Sequence, residues 1–275
     1  MSTTDSKPVP DTLSKRNVHE RDSHITFDEG PHIYTIDGDS SFTSCTTWIH
    51  SHFSHFDPEK TLDNIFNSGK INNPSYKYYN MTRDQIRESW SGNEASRLGT
   101  LLHYDIECYY NEWDVKNDSV EYSYFLKFAN EYKNLKAYRT EWMIYDKELQ
   151  LAGSIDMVFQ DETGDFWIYD WKRSKEISTE AYGNKRSHTP CISHLPDANF
   201  YHYSLQLNVY RRILETKYGL TIKGMCLVRV HPNNYFETYE RIEVPFMNDE
   251  VTALFNHRLA QVEEKKKENE QETQV

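Results

Sequence analysis

Asp170 and Lys172 flank Trp171 at the end of Phe166–Lys172, a segment of strand character. Side chains two apart in a strand point the same way, so this acid and this base share a face with Ile168, while Tyr169 and Trp171 take the other. Asp156 lies in the preceding strand-like segment, Gln150–Phe159, on a face with Ser154 and Val158. Asp161-Glu162-Thr163-Gly164 reads as the turn that pairs the two segments antiparallel and lets Asp156 approach Asp170. Hard divalent cations such as Mg2+ bind one or two carboxylates, keep several waters and bridge to a substrate phosphate. A lysine beside them can orient or activate the attacking water. Two carboxylates and a lysine therefore suit phosphodiester hydrolysis, and the bland alternative is an exposed strand pair of opposite charge.

Such a set needs a frame. Ile25 to Ile36, with turns at Glu29-Gly30-Pro31 and Asp37-Gly38, predicts a hairpin, followed by polar Ser40–Thr47 and a helix from about Thr46. Residues 58–97 are polar and in part helical. Leu98, Leu102, Ile106, Tyr109 and Trp113 recur every three or four residues and predict an amphipathic helix, with a second helix over Ser119–Leu135. Glu141–Tyr145, Gln150–Phe159 and Phe166–Lys172 then predict three neighbouring strands in the middle of a sheet. Tyr201–Leu214 returns to helical period, Gly224–His231 and Tyr239–Val244 read as strands, and a last helix begins near Asn248. This order predicts an α/β fold, a central mixed β-sheet flanked by helices, in a single domain over residues 25–262. Residues 1–24 and 263–275 are charged and aperiodic and are expected as a disordered N-terminal tail and a charged C-terminal tail.

The chain has 275 residues, 37% of them hydrophobic and 14% aromatic, enough to bury a core and to exclude wholesale disorder. No run of eighteen apolar residues occurs and Met1–Asp11 has neither an apolar signal region nor an Arg-rich transit character. The expectation is a protein of a reducing intracellular compartment, cytoplasm or nucleus, with no membrane partner. Cys45, Cys108, Cys191 and Cys226 are scattered without a CxxC pair, which argues against a zinc ribbon, an iron-sulfur cluster and a dense disulfide framework. A net charge of -12 repels polyanions, so any nucleic acid must be held through a local basic patch or bound cations. Lys172, Arg173, Lys175, Lys185, Arg186, Arg211 and Arg212 are candidates for that patch, a solvated face being the alternative. His50-Ser51-His52-Phe53-Ser54-His55 has the look of a zinc site, but lacks a nearby Cys or spaced carboxylate, and three solvent-facing histidines are the simpler reading. Trp167, Tyr169 and Trp171 are core by alternation.

Gly153-Ser154-Ile155-Asp156 followed by Asp170-Trp171-Lys172 resembles the PD-(D/E)XK nuclease signature. Three further elements stand in the order of its RecB-like and lambda-exonuclease-like branch: Gly99-Thr-Leu-Leu-His103-Tyr-Asp-Ile-Glu107 upstream, Glu141 opening the strand before, and Gln206-Leu-Asn-Val-Tyr210 downstream. Ser44-Cys-Thr-Thr47 before a helix is similar to the entry of mitochondrial genome-maintenance-type exonucleases. The resemblance covers residues 95 to 215. It implies a restriction-endonuclease-like core with Asp156 and Asp170 as metal ligands, the Trp171 carbonyl as a backbone ligand, His103 as a further ligand and Lys172 as the catalytic lysine. Glu141 would support the site, and Gln206 with Tyr210 would line it. His103 and Glu107 as a surface pair, and Tyr210 as packing, are the alternatives. The four-cysteine cluster of several RecB-like relatives is absent.

The implied activity is that of a Mg2+- or Mn2+-dependent deoxyribonuclease, an exonuclease acting on single-stranded DNA or duplex ends in replication, repair or recombination. An endonuclease or RNA-directed nuclease on the same core, and a non-catalytic nucleic-acid-binding protein, remain open because fold and site do not encode end-dependence. The helices between His103 and Glu141 and the segment from Ser174 to Asn199 flank the site strands in sequence. They are expected to narrow its mouth and favour a threaded free end.

Overall fold

The computed structural model describes residues 8–90 and 92–273, built around a mixed six-stranded sheet. Strands β4 (Lys136–Asp146) and β5 (Leu151–Gln160) are antiparallel, and β5 is antiparallel to β6 (Phe166–Lys172). Strand β6 runs parallel to β7 (Ile222–Arg229), which is antiparallel to β8 (Glu240–Glu243). The β5–β6 turn closes on Asp161, whose carboxylate accepts the N–H groups of Thr163 and Asp165, while Gly164 takes the left-handed conformation that a side chain disfavours. Helices cover both sides of this sheet, so β5 is buried along most of its length rather than on alternate residues.

One feature of the connectivity makes the site. The two-residue strand β3 (Thr43–Ser44) pairs parallel with Leu151 and Ala152 of β5, whereas β6 pairs with Met157 to Gln160. Because β4 occupies the whole of the other edge of β5, β3 and β6 must share the remaining edge. They leave Gly153–Asp156 facing a gap between their ends.

Helices α2 (Cys45–His50), α7 (Asn199–Lys217) and α8 (Asn248–Thr273) bury one face of the sheet with Ile144, Ile155, Ile168 and Leu227. Helices α5 (Asn93–Tyr110) and α6 (Val120–Glu131) bury the other with Met157, Phe159, Tyr169 and Trp171. The alternation that puts Tyr169 and Trp171 in a core is thus observed. The hairpin β1 (Ile25–Asp28) and β2 (Ile33–Ile36) packs on Tyr145 and Ala152, and α3 (Pro58–Asn67) with α4 (Arg83–Trp90) makes a small separate cluster. Among the described residues no helix is long and apolar enough to cross a membrane.

Three expectations need correction. The N-terminal residues from 12 onward are not a tail: α1 (Thr12–Arg16) buries Leu13, and Asn17 and Arg21 donate to the carbonyls of Tyr138 and Tyr145 along the outer edge of β4. Asp22 fixes the segment by accepting from Arg139 at 2.7 Å and from the Trp142 indole at 2.9 Å. An open sheet edge is thereby covered. Residues 263–273 continue α8, exposed over 263–271, and β4 is the sheet's edge strand rather than a central one.

Candidate active site

The gap on β5 is where both helical layers reach the sheet. From one side, the regular spacing of Leu102 and Ile106 seats α5 against Met157 and Trp171 and brings His103 to the gap. From the other, α7 brings Tyr203, Gln206 and Tyr210, three residues at helical spacing on one face. Strands supply the acids.

Asp156 ends the β5–β6 ladder with its side chain, its Oδ2 accepting the Trp171 N–H at 2.9 Å. Glu141 stands opposite Asp156 between the Thr140–Met157 and Trp142–Ile155 pairs, with a left-handed φ of 41° that interrupts the strand there. Its other oxygen accepts from Ser154 Oγ at 3.0 Å. His103 joins the acids: Nε2 meets the Trp171 carbonyl oxygen at 2.9 Å, and Nδ1 lies 3.5 Å from Asp156 Oδ2 and 3.8 Å from Glu141 Oε1. Ligand atoms of His103, Glu141 and Asp156 all fall within 4.8 Å of one another, close enough to hold one ion.

Asp170 is turned differently. Its Oδ2 lies 2.6 Å from Lys172 Nζ, and this buried oxygen has no aligned hydrogen-bond donor. The Lys172 ammonium in turn rests 4.6 Å above the Tyr203 ring. The sequence reading did not single out Tyr203, although it precedes Gln206 by three positions on the same helix face. The structure thus places six of the eight expected residues at the gap in two subsets: His103, Glu141, Asp156 and the Trp171 carbonyl in one, and Asp170 with Lys172 in the other.

Gln206 and Tyr210 frame the gap. Gln206 Nε2 donates to Thr46 Oγ1 at 2.7 Å and to Tyr210 Oη at 3.1 Å, tying α7 to the start of α2. Ser44 caps α2 by accepting the Thr47 N–H, which explains the Ser44–Thr47 motif as a strand end and a helix cap. Tyr210 is buried flat against Gly153: a Cβ there would lie 2.7 Å from Tyr210 Cε1. The glycine of Gly153-Ser-Ile-Asp156 is a packing requirement.

Electrostatics at the gap follow from burial among like charges. Burial raises Asp156 and Asp170 above the ordinary carboxylate range; Glu141 adds to the rise at Asp156 and Asp156 to that at Asp170, while His103 and Lys172 oppose both. Burial alone would lower His103, but Asp156 and Glu141 outweigh it and lift the imidazole to about 9. Lys172 likewise is lowered by burial and raised further by Asp170 and Asp156, so it stays an ammonium. Burial and then Glu141 push Glu107, one helical turn from His103, up to about 8. Carboxylates gathered beside an imidazolium and an ammonium, with the Trp171 carbonyl at their edge in contact with His103, offer oxygen ligands of the kind a hard divalent cation takes. The residues fit Mg2+ or Mn2+.

The expected basic patch is smaller than the sequence suggested. Arg173 is locked at 2.6 Å to Glu121 of α6, Arg211 and Arg212 point toward Asn248 and Thr252 of α8, and Arg186 is bound to the His194 carbonyl. Lys175 and Lys185 remain exposed. Of the three histidines expected at the surface, His52 is buried at 4% exposure, its Nδ1 bonded to Thr189 Oγ1 at 2.9 Å.

No family model and no curated protein matches the chain. A solved structure described as "Crystal structure of SSO0001" overlays on 90% of this chain and 82% of its own, at 16% sequence identity and a TM-score of 0.34.

Proposed function

We propose that the chain is a Mg2+- or Mn2+-dependent deoxyribonuclease, an exonuclease that acts on single-stranded DNA or duplex ends. The observation that supports this reading is the convergence on one unpaired stretch of β5 of His103, Glu141 and Asp156 with the Asp170–Lys172 pair. A structural ion pair on a strand needs neither the further carboxylates nor the imidazole of His103.

Asp156, Asp170, the Trp171 carbonyl and His103 would hold the ion, and Glu141 would stand beside it. Its charge would polarise a scissile phosphodiester and acidify the attacking water. The chain's own part is more specific. Lys172, kept charged by Asp170, can donate but not accept a proton, so it orients the water and steadies charge on the phosphate rather than acting as base. His103 must shed its proton to become a ligand, which the arriving positive charge favours. Tyr203 and Gln206 hold the wall against which Lys172 is set.

End-labelled linear and circular single-stranded DNA, incubated with and without Mg2+, test the reading. Linear strands should shorten from an end while circles persist, and chelator should stop the reaction. Circles opened as fast as linear strands are consumed would replace the exonuclease by an endonuclease, and full activity in chelator would remove the metal.

A further inference from the structure

A second cavity, of about 470 Å3, lies between α2, residues 188–190 and α8, outside the gap on β5. Trp48, His52, His188, Thr189, His257 and Arg258 are among its walls, and no carboxylate lines it. Arg258 is the charged member. Its Nε donates to the Leu149 carbonyl at 3.0 Å and its Nη2 to Thr43 Oγ1 at 3.1 Å and the Gln150 carbonyl at 3.4 Å. All three partners are neutral, and among the described residues no acid forms an ion pair with this half-buried guanidinium. Glu264 and Glu268 line an adjoining cavity that shares Arg258 and Gln261, but both are exposed helix residues and neither reaches it.

Two further donors have no partner. Trp48 Nε1 and His52 Nε2 are closed to bulk solvent and unpaired, on residues one helical turn apart that both line the cavity. Burial pushes His52 down to about 4, so the ring is neutral near pH 7. In the tautomer whose Nδ1 accepts from the Thr189 hydroxyl, Nε2 carries the proton and faces the cavity as a donor. A buried N–H without a partner is costly to leave unpaired, and a partly buried cation without an anion more so. The Thr47 hydroxyl, which accepts from Ser44 Oγ, keeps its own proton to donate, and the rings of His188 and His257 stand exposed at the rim. The buried lining groups that lack a partner are thus an indole N–H and an imidazole nitrogen, beside a guanidinium with no anion.

We infer that this cavity is a binding site for a phosphate-type oxyanion, with Arg258 as its charged anchor and the Trp48 indole, His52 imidazole and Thr47 hydroxyl as neutral donors. The site goes beyond the nuclease reading and stands without it, because its tests do not involve cleavage.

Inorganic phosphate is titrated into the full chain at pH 7, with ionic strength held constant by chloride. One indole N–H resonance should move, and its absence in Trp48→Phe identifies it. The melting temperature should climb with the logarithm of phosphate concentration, as for a ligand bound only by the folded state. Arg258→Gln should weaken phosphate roughly ten-fold or more, since a guanidinium contributes the strong charge-assisted bonds. If Arg258→Gln fails to fold, the exposed pair His188→Gln/His257→Gln carries the comparison and should weaken phosphate by a smaller, measurable factor. In chelator, oligonucleotides with and without a terminal phosphate distinguish the sources. A phosphorylated strand that binds more tightly than inorganic phosphate assigns the site to nucleic-acid ends, and equal affinity assigns it to a free ion. Indole and melting responses no larger with phosphate than with chloride, or undiminished in the folded variants, would overturn the site.

Discussion

Adding one methyl group at Gly153 should disturb the candidate site more sharply than its chemistry suggests. An alanine Cβ would lie 2.7 Å from Tyr210 Cε1, 2.9 Å from its hydroxyl and 3.2 Å from Cζ, all inside ordinary carbon contact distance. The phenol must retreat by most of an ångström, and it is only 3% exposed, so it retreats into the packed layer beneath α7. Overpacking of this kind costs about 1–3 kcal/mol. In a domain of this length each kcal/mol lowers Tm by roughly 2–4 °C. The displaced hydroxyl also pulls on Gln206, held at 3.1 Å, and through it on Thr46, so any cleavage activity should fall further than stability does. Urea unfolding of wild type, Gly153→Ala, Tyr210→Leu and the double variant measures the clash directly. Tyr210→Leu loses packing by itself, yet in its background the alanine should be nearly neutral, a coupling of at least about 1 kcal/mol. If Gly153→Ala unfolds within experimental error of wild type, or if the two single losses simply add, then Tyr210 is not pinned against β5 as described.

The remaining tests reach other parts of the site. Asp170→Asn should abolish cleavage with little loss of Tm, because it thins a crowd of buried carboxylates, whereas Lys172→Ala should abolish cleavage and lower Tm by stranding Asp170; normal activity in either variant rejects their assignment. The lift of His103 from 6.5 to about 9 favours the folded state below pH 6.5, and that stability is lost as pH rises through about 9; it amounts to about 3 kcal/mol at most, and comparing urea stability of wild type with His103→Gln across pH 6 to 10 should reveal a slope that the variant loses. Burial raises Glu107 as well, and its contribution has the same sign over a lower range, from its ordinary value to about 8, so only the difference between the two proteins is diagnostic. Ca2+ should support DNA binding without turnover, since its larger, looser shell places water poorly, and equal rates in Ca2+ and Mg2+ would contradict that. Glu121→Gln should cost about 3 kcal/mol by leaving Arg173 charged and buried, measured by denaturation, and a neutral result would mean the pair is solvated.

Much of the site was legible because strands and helices repeat. Period two placed Asp170 with Lys172, and period three to four placed His103 on a helix that packs on Trp171. What could not be read was set by pairings that leave little local trace. Strand β3 is two residues long and gains its partner from a segment more than a hundred positions away, so the fork on β5 is invisible until the fold closes. The docked N-terminal segment is held by one buried leucine, by hydrogen bonds that Asn17 and Arg21 donate and by those that Asp22 accepts, without any periodic apolar stripe. Arg211 and Arg212 were grouped with the site by sequence position alone, and helical geometry turns them toward α8.

The fork also accounts for why strongly charged groups can collect inside the sheet. An uninterrupted β5–β6 ladder would spend every backbone donor on the neighbouring strand and fill the space with apolar side chains. Ending it at Met157 and Tyr169 frees the Trp171 N–H for Asp156 and exposes the Trp171 carbonyl to His103. The left-handed backbone at Glu141 acts on the opposite edge, where β4 continues on both sides of it but its carboxylate faces His103 and Ser154. The irregularities on both edges of β5 therefore have one consequence: they convert backbone and carboxylate groups that a regular sheet would have paired into a set of convergent oxygens, balanced by one imidazolium and one ammonium.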